Sequence, residues 1–214
     1  MCLWNRYRTK GDVLFSLAAY PENHVQQFIS EQRRSCYSYL EVGATGGELP
    51  ASYNVDHNRI LLGEGEPAWN RAVSALRRWE MFHIPWIRLY WPTSQIRIGT
   101  DVAVEVRHYG FRSLNACRIV YVVNETGPVT RYGFAYGTLT EHAESGEERF
   151  LVEWDKVKDE VWYDILAFSR PHKILAKLAY PLSRSLQRRF AAASKQAMVN
   201  ACLATASPGM RNNQ

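Results

Sequence analysis

Cysteine is scarce in this 214-residue sequence, and no cysteine has the spacing of a metal or redox site. The four cysteines, Cys2, Cys36, Cys117 and Cys202, are far apart, without a C-x-x-C pair and without a histidine at zinc-ligand spacing. We therefore expect no metal and no cofactor. Isolated thiols are typical of a reducing compartment, which predicts a cytoplasmic location.

Long apolar runs and catalytic motifs are absent as well. No stretch of about 18 apolar residues occurs, so no transmembrane helix is expected. No serine or cysteine lies in a nucleophile-elbow motif, and no two histidines share one helical face. The glycine-rich residues 41–54 lack a Walker-type lysine and the dinucleotide glycine spacing, which indicates a structural loop. The sequence thus assigns no catalytic residue.

Large apolar side chains, by contrast, are abundant. Hydrophobic residues make up 46% of the chain, with 7 Trp and 12 Tyr, far more than disordered chains contain. A chain of 214 residues is long enough to bury a full hydrophobic core within one domain. We therefore predict a folded protein with a single core.

Two segments in the first half have the apolar spacing of amphipathic helices. Residues 21–34 begin with a proline, which is favoured in the first turn of a helix. Residues 66–84 carry an apolar stripe that includes Trp69 and Trp79, with basic residues on the other side. We expect Pro85 to end this second helix and the stripe to pack in the core.

A long final helix is predicted over residues 171–203, with Pro181 kinking or breaking it because proline removes an amide donor. Residues 171–214 contain seven Lys or Arg and no acidic residue. The basic residues of the helix itself are Lys173, Lys177, Arg184, Arg188, Arg189 and Lys195. A solvated face explains this pattern, weak binding to an anionic membrane surface is the second interpretation, and nucleic-acid binding is not expected because no such motif accompanies it.

From residue 86 to residue 168 the apolar period changes from helical to two. Residues 101–108, 116–123 and 148–154 are typical of strands, and the turns between strands are too short for crossover helices. Neighbouring strands should therefore run antiparallel as a meander. A parallel sheet of the Rossmann kind is not expected.

The strand predicted over residues 131–140 has two unlike faces. One face carries the aromatic rings of Tyr132, Phe134 and Tyr136, and the opposite face is nearly bare at Gly133, Ala135 and Gly137. Glycine weakens a strand, so its use predicts strong curvature of the sheet, or the close approach of a ligand or another element to the backbone.

Several motifs, in this order, resemble the uncharacterised protein family 0548 of bacteria and plants, over about residues 28–198. They are Glu41-Val42-Gly43-Ala44-Thr45, Leu62-Gly63-Glu64-Gly65, Gly137-Thr138-Leu139 with His142, Gly146-Glu147-Glu148-Arg149-Phe150, and Ala167-Phe168-Ser169-Arg170-Pro171. The resemblance implies an α+β fold similar to the helix-grip, START-like proteins, in which a curved antiparallel sheet wraps a long C-terminal helix. It implies no known reaction.

The chain is expected to divide into three parts. The resemblance implies that residues 1–20 are a variable extension, and the residue pattern predicts a single α+β domain over residues 21–205 and a disordered tail over residues 206–214. Some plant relatives are described as chloroplast outer-envelope pore proteins, so attachment to an organelle envelope is the alternative to a cytoplasmic location.

Candidate site residues come from the inward faces of the predicted strands. Because adjacent strand residues face opposite sides, at most one of Glu147 and Glu148 points inward, and the other is expected to face solvent. A buried Glu148 would need a partner, for which Arg170 is the candidate, and a structural ion pair is favoured over catalysis. The predicted ligand-binding residues are Tyr132, Phe134, Tyr136, Glu148, Trp154, Tyr163 and Arg170.

Three functions remain open from the sequence. The first is a binding module that encloses a small hydrophobic ligand between sheet and terminal helix. The second is a membrane-associated or pore-forming protein, which requires apolar outward faces on the strands. The third is an enzyme of START-like fold, which requires an inward polar cluster.

Overall fold

The computed structural model describes residues 15–91, 94–142, 144–171 and 180–204. These residues form three α-helices: α1 (Glu22–Gln32), α2 (Gly65–Arg77) and α3 (Tyr180–Ala204). The strands are β1 (Phe15–Ser16), β2 (Asn54–Glu64), β3 (Ile87–Tyr90), β4 (Asp101–His108), β5 (Phe111–Glu125), β6 (Val129–Thr138), β7 (Glu144–Asp155) and β8 (Glu160–Pro171). Short 3₁₀ turns lie at Ala44–Gly46 and Glu80–Phe82.

One antiparallel sheet contains these strands, in the order β2, β8, β7, β6, β5, β4, β3, with the short β1 beside the start of β5. The predicted meander is therefore confirmed from β4 to β8. A tight turn joins β4 to β5, in which Tyr109 and Gly110 both have positive φ, as a two-residue hairpin requires. The predicted α+β class, with a curved antiparallel sheet and a long C-terminal helix, is also confirmed.

The core lies between the inner face of the sheet and the helices α2 and α3. Phe134, Phe150 and Tyr163 are fully buried there, together with Leu76 of α2 and Met198 of α3. The apolar stripe predicted for α2 is thus the side that packs on the sheet. These contacts fill one half of the space under the sheet.

Helix α2 ends earlier than the predicted stop at Pro85. Its last residue is Arg77, and Trp79 adopts a left-handed conformation with φ 59°. The Trp79 ring turns into the core, 4.8 Å from the ring of Phe134, and its Nε1 donates to the Ser94 carbonyl at 3.0 Å. Burial of this indole therefore decides where the helix stops.

The described part of the final helix, Tyr180–Ala204, contains Pro181 as its second residue. The residues immediately before Tyr180 lie outside the described part of the chain, so the predicted kink or break at Pro181 stays a prediction. Strand β8 continues to Pro171. The residues 172–179, which the sequence predicts to be helical and which include Lys173 and Lys177, lie outside the described residues. Residues 1–14 and 206–214 lie outside them as well.

The outer face of the sheet has its own apolar cluster under α1. Val25, Phe28 and Ile29 of α1 pack against Leu114 and other residues of the central strands. Tyr20 belongs to the same cluster, and β1 pairs with β5, so residues before position 21 take part in the packing.

Glu147 is buried on this outer face and does not face solvent as expected. Its carboxylate accepts hydrogen bonds from the Tyr39 hydroxyl at 2.7 Å and from the amides of Gly43 at 2.7 Å and Thr45 at 3.0 Å. The Thr45 hydroxyl also donates to it, and Tyr121 donates in turn to Thr45 at 2.8 Å. The loop of the Glu41-Val42-Gly43-Ala44-Thr45 motif is therefore fastened to β7.

The bare face of β6 lies under this same loop. A Cβ at Gly137 would overlap the Tyr39 hydroxyl, and a Cβ at Gly133 would overlap the Phe150 carbonyl oxygen of the neighbouring strand. A loop side chain and a strand backbone, rather than a ligand, thus approach these glycines.

Two of the cysteines, Cys117 and Cys202, are buried and form no disulfide. Cys36 is disulfide-bonded, so the expectation of four isolated thiols is wrong at this position.

We predict that Gly137→Ala lowers the free energy of unfolding by about 1–3 kcal/mol, because the added methyl group displaces Tyr39 from Glu147. Urea unfolding followed by tryptophan fluorescence measures the change. Gly127→Ala is the matched control, since its Cβ would meet only ordinary van der Waals contact. Equal stability of the two variants would contradict the close contact.

Candidate ligand cavity

A cavity of about 800 Å³ occupies the half of the inner space that the core leaves open. Its walls are predominantly apolar and come from the sheet, from α3 and from the segment that follows the second 3₁₀ turn. The principal apolar side chains are Trp86, Val104, Val106, Ile165, Leu182 and Leu186.

A wall of aromatic rings separates the cavity from the packed core. The rings of Phe82 and Phe190 lie 5.5 Å apart, and the Phe150 ring lies 5.5 Å from Phe82 and 6.4 Å from Phe190. Tyr136 packs edge-on against Phe150 at 5.3 Å. These ring contacts form the boundary between the cavity and the packed core.

One polar pair faces the cavity from the centre of the sheet. Tyr136 of β6 and Glu148 of β7 are directly opposite each other in the strand register, and the Tyr136 hydroxyl donates to Glu148 Oε2 at 2.9 Å. Burial raises the pKa of Glu148 to about 7, while the Tyr136 hydrogen bond lowers it in part. Burial also raises the pKa of Tyr136 well above its usual value, so Tyr136 remains a neutral donor.

No cation of the described residues forms an ion pair with Glu148. The Glu148 position faces Ala167 on β8, whereas Arg170 faces Ser145 and lies on the outer side of the sheet. There the exposed Arg170 guanidinium stacks over the Tyr53 ring at 4.4 Å. The predicted pair of Glu148 and Arg170 is therefore wrong, because the two residues lie on opposite faces.

Other polar groups lie around the cavity. On β5, Asn115 Nδ2 donates to the Ser113 hydroxyl at 3.1 Å and to the Val104 carbonyl at 3.3 Å. Glu144, at the start of β7, has its pKa raised by burial, and its Oε1 has no hydrogen-bond partner among the described residues. The Glu144 amide donates to His142 Nδ1 at 3.0 Å.

An ion pair joins α3 to the edge of the sheet beside the cavity. Arg184 Nη2 donates to Asp56 Oδ1 at 2.7 Å, and Gln187 Nε2 donates to the Ser169 hydroxyl at 2.9 Å. The basic helix therefore has an acidic neighbour on β2, although residues 171–214 contain no acidic residue. Elsewhere on α3, Arg189 lies over the Trp86 ring at 4.9 Å.

The sequence-predicted site residues separate into three locations. Tyr136 and Glu148 line the cavity. Tyr132, Phe134, Tyr163 and the partly buried Trp154 pack in the core, and Arg170 lies outside. The sequence prediction missed Ser113 and Asn115, although two polar residues on one face of an otherwise apolar strand are a readable signal. The α3 contributors, such as Leu186 and Gln187, carry no such signal.

A curved antiparallel sheet over a C-terminal helix, with a cavity between them, defines a helix-grip α+β protein. The sequence also matches the family model described as "Domain of unknown function (DUF1990)" over residues 38–197, and the chain belongs to this family.

Relatives named UPF0548 protein cover most of the chain. The Dictyostelium discoideum relative is 32% identical over 199 residues, covering 84% of this chain and 92% of its own. The Deinococcus radiodurans relative is 38% identical over 176 residues, covering 77% of this chain and 87% of its own. The Arabidopsis thaliana relative is 31% identical over 149 residues, covering 68% of this chain and 71% of its own.

Solved structures with a similar chain path have low sequence identity. A hypothetical protein of Helicobacter pylori matches at 15% identity and TM-score 0.49, over 74% of this chain and 92% of that chain. The norcoclaurine synthase of Thalictrum flavum, in complex with dopamine and hydroxybenzaldehyde, matches at 11% identity and TM-score 0.44, over 73% and 90%. The fold assignment rests on the strand order and on the position of α3.

Among the described residues, none of the helices combines the length and the apolar character needed to cross a membrane. The same residues contain no group of three or more His, Cys, Asp or Glu side chains that could hold a metal ion.

We predict that Glu148→Gln stabilises the protein at pH 8 by about 1–3 kcal/mol and leaves its stability unchanged near pH 4. In the unfolded chain this carboxyl ionises near its ordinary pKa of 4.5, whereas in the folded protein it ionises at about 7. Unfolding therefore releases a proton between these values, and stability falls as pH rises through this window.

Urea unfolding at pH 4, 6 and 8 measures the effect. Glu125→Gln is the control, because the Glu125 carboxylate is exposed at the last residue of β5. A stability change of Glu148→Gln that is the same at all three pH values would contradict the assigned ionisation.

Proposed function

We propose that the protein binds a small apolar molecule in the cavity between the sheet and α3, with the polar end of the ligand at Tyr136 and Glu148. The observation that carries the proposal is the cavity itself, about 800 Å³ with predominantly apolar walls and with the Tyr136–Glu148 pair among its few polar groups. Ligand sites in proteins commonly combine this size with this distribution of polarity.

The packing of the rest of the protein supports the proposal. Protein interiors are close-packed, and side chains that border an empty space lose dispersion contacts. Here Phe134 and Phe150 are completely buried in the core, while Val106 and Leu186 border open space a short distance away. A ligand would restore the contacts that these cavity residues lack.

The ionisation of Glu148 supports a binding role over a structural one. A buried carboxylate that pairs with a cation contributes to specificity of folding, but Glu148 has only the Tyr136 hydroxyl as its hydrogen-bond partner among the described residues. Keeping this carboxylate reduces stability at neutral pH, since burial disfavours its charged form. A stability cost of this kind is common at functional sites.

The outer face of the sheet favours ligand binding over pore formation. Arg59 and Arg131 both bond Glu153 there, at 2.6 and 2.7 Å, and Arg149 bonds Asp164 at 3.0 Å. Charged networks suit a strand face in contact with water rather than lipid. Weak contact of the exposed Arg188 and Arg189 with an anionic membrane surface remains a separate hypothesis.

Acid–base catalysis on the bound molecule is a second candidate function. The pKa of Glu148, about 7, is suited to a group that gives and takes a proton near neutral pH. In that case Glu148→Gln would abolish turnover of the bound molecule while retaining its binding.

We predict that the neutral fluorophore N-phenyl-1-naphthylamine binds saturably, with a rise in fluorescence, because the cavity offers it an apolar environment. Ala167→Phe, which projects a ring into the cavity beside Glu148, should weaken this binding by at least about tenfold, or about 1.4 kcal/mol. Fluorescence titration measures both affinities.

Ala192→Phe is the matched control, because Ala192 lies on the exposed side of α3. Val106→Phe blocks the cavity from another strand and replaces Ala167→Phe if circular dichroism shows that variant unfolded. Unaltered fluorophore binding in a folded cavity-blocking variant would overturn the proposal.

A further inference from the structure

The charged groups on the cavity wall have one sign. Three acidic side chains of the described residues, Asp56, Glu144 and Glu148, line the cavity, and no described Lys or Arg does. Glu147 also borders the cavity through its strand, but its carboxylate is bonded on the outer face. Arg184 pairs with Asp56, and its charge also acts on Glu144, so Glu148 is the cavity carboxylate without a cationic neighbour among the described residues.

Two histidines, His108 and His142, also line the cavity. The Nδ1 atom of His142 accepts the amide hydrogen of Glu144. Burial lowers the pKa of His108, which keeps its ring neutral. The groups that face Glu148 from the neighbouring strands, Tyr136 and Cys117, are uncharged because burial raises the pKa of both.

Both carboxylates have unused acceptor capacity. The Glu144 carboxylate accepts a hydrogen bond from the Ser183 side chain, but its Oε1 has no partner among the described residues, and in the same part of the chain Glu148 accepts from Tyr136 alone. A carboxylate has room for about four hydrogen bonds. A donor brought by a ligand would fill these positions, and a positive charge on it would also offset the burial of the carboxylates.

From this juxtaposition we infer that the cavity selects an apolar molecule that carries a protonated amine, and rejects an apolar molecule that carries a carboxylate. An ammonium group has three donors and no acceptor, which complements the acceptor groups of Glu144 and Glu148. A carboxylate at the same point would meet like charge in a medium of low dielectric constant, where repulsion is strong. The inference rests on the proposed function, because it assigns the chemical class of the ligand.

The test uses three ten-carbon chains that differ only in the polar end: decylamine, decanol and decanoate. Each one competes with N-phenyl-1-naphthylamine for the unmodified protein at pH 8, below its micelle concentration. At this pH Glu148 is mostly ionised and decylamine is an ammonium ion. We expect decylamine to compete at a concentration at least about tenfold lower than decanoate, with decanol between them, as a desolvated charge pair implies.

Glu148→Gln should bring the decylamine and decanol values together, while the outer-face variant Glu153→Gln should leave the wild-type order unchanged. Decanoate or decanol that competes as well as decylamine would overturn the inference while leaving apolar binding in place. Failure of the fluorophore itself to bind would overturn the proposed function instead, and the inference with it. The comparison on the unmodified protein decides the charge preference even if Glu148→Gln does not fold.

Discussion

Successive side chains of strand β7 point to opposite faces of the sheet, so Glu147 and Glu148 lie in different environments. Outside, Glu147 receives hydrogen bonds from a tyrosine, two backbone amides and a threonine, which hold the loop of residues 41–45 on the sheet. Inside, Glu148 receives one hydrogen bond, from Tyr136. One glutamate therefore holds a loop on the outer face of the sheet, and the other has unfilled acceptor positions on the inner face.

The cavity exists because the two inner helices cover different parts of the sheet. Helix α2 and Trp79 pack on the part that contains Phe134, whereas in the described part of the chain α3 and the segment around Phe82 and Trp86 border the cavity over the other part. The rings of Phe82 and Phe190 form the boundary between the halves. The well-packed half supplies the stability that allows the other half to remain open.

The ion pair between Asp56 and Arg184 has a consequence for both structure and charge. It links the edge strand β2 to α3 beside the cavity. It also neutralises much of the charge of Arg184, which acts on Glu144 as well. Glu144 and Glu148 are the other carboxylates of the described residues that face the cavity.

The sequence by itself determined the strands, the antiparallel meander and the alternation that places Glu147 and Glu148 on opposite faces, because neighbouring residues of a strand point to opposite sides. The motif resemblance added the family and the wrapping of the sheet around α3. Neither indicated that Arg170 would lie outside, that Glu147 would be covered by a loop, or that Trp79 would stop α2. Only the tertiary structure decided these points, since each depends on contacts between residues far apart in the chain, such as Tyr39 with Glu147 and Asp56 with Arg184. Local periodicity specifies the face of a side chain, but strand register and chain packing specify what that face meets.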